Sequence, residues 1–92
     1  VWAGAELLGE VPPGTREYYL LARLAAELDA VVPYADLKHF VTREAGSLDR
    51  SDDATFCHRL KGRIKAHWVP AIDAVLVGSS AGGGYRLRAV RA

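Results

Sequence analysis

Apolar residues recur along this chain in three helical patterns and then in a strand-like one. Tyr18, Leu21, Leu24, Ala25 and Leu28, with Leu20 flanking, lie three or four apart and predict a helix over 15–29. Thr15 or Gly14 can cap its start, and Glu17 complements the dipole of its first turn. A second helix is predicted over 34–45, with Leu37, Phe40 and Val41 inward and Lys38, His39, Arg43 and Glu44 outward. Pro33 suits its entry and Gly46 its end. The third, over about 52–67, turns Cys57, Leu60, Ile64 and either His67 or Trp68 to one side, with Ser51, Asp52 and Asp53 at its start and Pro70 beyond its end. Residues 71–77, carrying Ile72, Val75 and Val77, then read as a strand and 78–84 as a loop of small residues. Residues 85–90 read as a returning strand, with Tyr85, Leu87 and Ala89 on one side and Arg86 and Arg88 on the other. Two shorter strands are expected earlier, one or half a hairpin over 5–11 and a brief one at Val31 and Val32.

Charge sharpens this picture at the third helix. Opposite its apolar stripe stand His58, Arg59, Lys61, Arg63 and Lys65, with no acid in the helix after Asp53. The net charge of +1 hides a split: residues 1–53 hold five Arg or Lys against ten Asp or Glu, and residues 54–92 hold seven against one. A helix with one buried side and one cationic side suits a polyanion, and the expectation is the phosphates and base edges of DNA. Arg86 and Arg88 of the hairpin, with Arg91 beyond, put cations on a second element. The plainer reading is a solvated surface, or a dipolar protein whose halves satisfy each other.

Size and composition narrow the alternatives. The 92 residues suit one domain over 1–92, and the lack of any methionine suggests a piece excised from a longer chain. No apolar run approaches the roughly 18–20 residues of a membrane span, and no basic start with an apolar run marks a signal peptide. The single Cys57 cannot form an internal disulfide and fits a reduced, cytoplasmic setting. The glycines of 78–84 precede YRLR, a strand pattern, so they are not the phosphate cradle that opens a helix. Cys57, His58 and His67 lack metal-ligand spacing, and Cys57 beside His58 lacks an orienting acid for nucleophilic work. No enzyme, cofactor or metal is expected. A membrane-surface helix would want bulkier residues than Cys57 and Ala66 on its inner side.

Four short strings in order, covering about 14–90, resemble the OmpR/PhoB-type winged-helix effector domain of bacterial response regulators. TREYYLLARLA is similar to the opening of that family's first helix, and VVPYADLKHFV to the entry of its second. HRLKGRIK is similar to the core of the recognition helix, and Gly84, Tyr85 and Arg86 match the Gly-Tyr-Arg of the wing. The resemblance implies an α+β fold, a winged helix-turn-helix with a three-helix core, a C-terminal β-hairpin wing and a reduced N-terminal strand or hairpin. It implies cytoplasmic, sequence-specific binding of double-stranded DNA in transcription regulation within a two-component system. His58, Arg59 and Lys61 would face the major groove, Lys65 the backbone, and Arg86 the neighbouring minor groove; Thr55, Arg63 and Arg88 complete the expected DNA-binding set. RNA polymerase and a second copy of the chain on DNA are further partners that it implies. The chain departs from the pattern in several places, with the helix-capping threonine shifted by about one position, Gly62 inside the third helix and a short turn before that helix. Residues 1–14 cannot supply the usual four-stranded opening sheet, Phe56 replaces a polar residue and either packs inward or touches a thymine methyl, and no basic residue precedes the wing glycine. The main rival is a winged-helix module that docks its basic face on an acidic protein. RNA binding lacks an exposed aromatic platform.

Overall fold

Thr15 starts the first helix, its hydroxyl oxygen accepting the Tyr18 N–H at 3.1 Å. The computed structural model describes residues 11–70, 72–78 and 83–88, and within them the chain forms three helices and a three-stranded antiparallel sheet. In order these are α1 (Arg16–Ala25), β1 (Val32–Pro33), α2 (Tyr34–Ala45), α3 (Asp53–His67), a 3-10 turn (Ile72–Ala74), β2 (Leu76–Gly78) and β3 (Gly84–Leu87). The expected strand over 5–11 lies, except for Val11, outside the described residues, as do the hairpin tip over 79–82, Ala89 and Arg91. Among the described residues no helix is long and apolar enough to cross a membrane.

The helices meet around Leu20, Leu21 and Leu24 of α1, Leu37 and Val41 of α2, and Phe56, Cys57, Leu60 and Ile64 of α3, all buried. Each fully buried aliphatic or aromatic side chain contributes roughly 1.5–3 kcal/mol, so this stripe-on-stripe packing is the main source of stability. α2 runs between its two sequence signals: Pro33 enters it, and Gly46 leaves it at φ 68°, where the Ser47 N–H reaches back to the Thr42 carbonyl at 3.0 Å. β3 is the central strand, pairing with β1 through Val32–Tyr85 and with β2 through Leu76–Leu87 and Val77–Arg86. Alternation along β3 buries Tyr85 and Leu87 and turns Arg86 to the other face, as the sequence pattern expects.

Four local expectations are corrected. α1 ends at Ala25 rather than near Asp29, because the chain tightens into turns and Asp29 takes a positive φ of 65°. Its buried row is Glu17, Leu20, Leu21 and Leu24, while Tyr18, Ala25 and Leu28 are only partly covered. Val32 is buried and pairs, whereas Val31 is exposed. Residues 72–74 form a 3-10 turn instead of a strand, and within the shorter β2 Leu76, opposite Leu87, is buried while Val77 is half-buried.

Candidate functional site

α3 presents three kinds of surface. Phe56, Cys57, Leu60 and Ile64 fix its inner side, which makes Phe56 a core residue beneath the Arg16 guanidinium, 5.8 Å from the ring centre. Thr55, His58, Arg59, Gly62, Arg63, Lys65 and Ala66 are exposed, and Lys61 is half-buried. At a rotation of about 100° per residue, Lys61 and Lys65 fall on one flank, Arg59 and Arg63 on the other, and Gly62 near the middle of the outward face.

The flank nearer the sheet is organised by Tyr85. Its ring meets those of His58 and Tyr34 edge to face at 5.5 and 5.2 Å, its hydroxyl shares a hydrogen bond with His58 Nδ1, and Lys61 Nζ lies 5.5 Å from its centre. Burial, with the nearby Tyr34, Cys57 and Asp73 charges, pushes the Tyr85 phenol well above its ordinary range. Below it, Asp73 bridges two lysines, Oδ1 to Lys61 Nζ at 3.0 Å and Oδ2 to Lys65 Nζ at 2.6 Å. Hydrogen bonds from Lys65 and Lys61 hold the Asp73 carboxyl below its usual range.

The other flank borders a cleft of about 280 Å³ lined by Arg16, Glu17, Asp49, Phe56, Arg59, Leu60 and Arg63. Arg63 Nε lies 3.5 Å from the buried Glu17 carboxylate, and Arg16 bonds Ser47 and Asp49. The Asp49 carboxyl is lowered, chiefly by the Ser51 hydroxyl, then by the Ser51 N–H, and less by Arg16 and Arg59. Arg59 and Arg86 lie in no ion pair among the described residues.

These contacts revise the reading of α3 as a helix with only unpaired cations outward. Lys61, Lys65 and Arg63 each have a carboxylate partner within the chain. Each flank nevertheless keeps one positive charge in excess, two lysines against Asp73 and three arginines against Glu17 and Asp49. Of the remaining expected residues, Thr55 and Arg88 are exposed and Arg86 is half-buried on the sheet face opposite Tyr85. Sequence reasoning missed Glu17 and Asp73. The first sits on the same i, i+3, i+4 row as Leu20 and Leu21, which is the signal that marks it, and the second is the one acid of residues 54–92. Among the described residues no group of three His, Cys, Asp or Glu is placed to hold a metal ion. The buried Cys57 thiol donates to the Tyr34 carbonyl at 3.7 Å and is pushed up to about 12 by burial first and the Asp53 charge second, which leaves it a protonated core group. Comparison with protein-family models, with curated proteins and with solved structures finds no match.

Proposed function

We propose that this chain binds double-stranded DNA as a winged helix-turn-helix module of a transcriptional regulator, with α3 in the major groove and the β2–β3 hairpin against the backbone or adjacent minor groove. The observation that carries the reading is the Tyr85 bridge. Its contacts with His58 and Lys61 tie the strand bearing Arg86 to the helix bearing Arg59, so two cationic elements keep a fixed separation. A duplex rewards such preorganisation, because phosphate contacts from two elements set the register in which side chains meet base edges. The half-exposed Lys65–Asp73 pair does not oppose it, whereas Arg63 stays with the buried Glu17 carboxylate. Exposed pairs are each worth about 0–1 kcal/mol, and a polyanion that releases counterions outcompetes them at low salt.

The same ion pairs favour a second reading, in which the basic face docks an acidic protein, since Asp73 and Glu17 demonstrate how carboxylates fit these cations. Fluorescence anisotropy with a random duplex across a salt series separates the two. The DNA reading expects a Kd on the order of micromolar at low salt that weakens steeply as salt rises, and Arg59→Ala to lose affinity. Absence of binding at low salt would sink it.

A further inference from the structure

The Lys61–Asp73–Lys65 bridge has the geometry of a two-lysine clamp already holding an anion. Lys61 and Lys65 stand one turn apart on α3 and converge on Asp73, one carboxylate oxygen to each ammonium, at 3.0 and 2.6 Å. Asp73 is the only acid among residues 54–92. Its place is fixed from below: the 3-10 turn that carries it is anchored by Ile72, fully buried, with Leu76 following into the core. Its carboxylate is half exposed, as is Lys65, so the bridge lies open to any anion arriving from solvent. Lys61 is held more closely, over the Tyr85 ring.

We infer that Asp73 is a resident competitor for nucleic-acid phosphate, a residue that sets the strength of the Lys61–Lys65 grip by occupying the position a backbone phosphate would take between the two ammonium groups. This rests on the duplex-binding reading above. A carboxylate and a phosphate offer two oxygens to two ammonium donors in the same way, and the phosphate belongs to a chain of charges whose counterions are released on binding. With Asp73 present the clamp carries one net positive charge; without it, two. The alternative is that Asp73 preorganises the lysines, and the two roles have opposite signs on affinity.

The test measures binding of a random duplex by anisotropy over a salt series for the wild type, Asp73→Asn, Asp36→Asn as a deletion of equal charge outside the Lys61–Asp73–Lys65 bridge, and Lys61→Ala/Lys65→Ala with and without Asp73→Asn. Circular dichroism on each variant reports that the fold is retained. Asp73→Asn is expected to tighten binding roughly three- to tenfold at low salt and to steepen the salt slope by about 0.9, the increment of one further phosphate contact. Asp36→Asn is expected to change affinity much less, and the effect of Asp73→Asn to vanish once both lysines are gone. Equal or weaker binding by Asp73→Asn, an equal gain in Asp36→Asn, or a gain that survives loss of the lysines overturns the inference while leaving duplex binding in place. If neither the wild type nor Asp73→Asn binds at low salt, the duplex reading itself is overturned and this inference with it.

Discussion

Gly84 sits where strand β1 leaves no room for a side chain. A Cβ built there would lie 2.2 Å from the Val32 carbonyl oxygen and 3.0 Å from Pro33 Cα, and both are backbone atoms that cannot turn aside. Gly84→Ala is therefore expected to cost about 3 kcal/mol by forcing β1 from β3; a urea midpoint within error of the wild type would show that the strands are not this close. Cys57 and Tyr85 make a second prediction, on alkaline stability. Burial holds the Cys57 thiol up to about 12 against its ordinary 9.0, and raises the Tyr34 and Tyr85 phenols from 10.0. Above about pH 9 the unfolded chain thus binds fewer protons than the folded one, so this contribution is complete below pH 9 and is lost as pH climbs toward 12. Urea midpoints measured over that range should fall, and the fall should be shallower in Cys57→Ala; an identical pH profile would assign it to the tyrosines alone. Glu17 shows what a linear reading lacks at this scale. In the first turn of α1 an acid reads as a dipole complement, and its burial depends on Arg63, a partner distant in sequence on another helix.

Helix α2 was readable almost to the residue because its ends are set by local chemistry, Pro33 at entry and Gly46 in the left-handed region at exit. The three-helix core was legible for a similar reason, since Leu21, Leu24, Leu37, Val41, Leu60 and Ile64 repeat at the helical period and are all buried. Where neither kind of signal exists, the local sequence leaves an element's bounds open. No glycine or proline marks the end of α1, and the left-handed Asp29 that closes the connection is held by its own N–H bonding to Leu87 across the fold, at 2.8 Å. The inward choice of Leu76 over Val77 follows from its register against Leu87, which strand periodicity alone does not give. At the candidate site, the cationic content of α3 was plain from sequence, but which cations are neutralised depends on where the 3-10 turn delivers Asp73. Gly62 offers the test at this scale. It lies inside α3 on the exposed face, a Cβ there would touch nothing within 4 Å, and no packing reason accounts for it. Gly62→Ala should stabilise the protein by roughly 0.5–1 kcal/mol, which raises Tm by about 2–8 °C in a domain of this size. On the duplex reading the same methyl should weaken binding by crowding the groove. A rise in both stability and affinity would take the middle of that face away from DNA.

Across the whole molecule, the acidic and basic halves do more than cancel each other. Arg63–Glu17 links them, while Arg16–Asp49 and Lys38–Asp53 close within the first half and the Asp73 bridges within the second. The halves are joined also through backbone: besides β1–β3 pairing, Tyr34 N–H donates to the Gly83 carbonyl at 3.0 Å and Asp29 N–H to that of Leu87 at 2.8 Å. The hairpin base is thus hydrogen-bonded to the segment that launches α2, and the molecule should unfold as one unit, with circular dichroism and tryptophan fluorescence from half-buried Trp68 tracing one transition. A ligand that bridges α3 and the hairpin then stabilises the whole unit and no single part. Random duplex present at about 100 times its Kd should add about 2.7 kcal/mol and raise Tm by roughly 10–20 °C at low salt. That gain should disappear near about 0.5 M salt, where counterion release no longer drives binding. It should shrink in Arg59→Ala and again in Arg59→Ala/Arg86→Ala, the increments adding because the two arginines sit on separate elements and neither shares an ion-pair partner with the other among the described residues. If duplex leaves Tm unmoved at low salt while an acidic polypeptide raises it, the cationic surface is built for a protein partner.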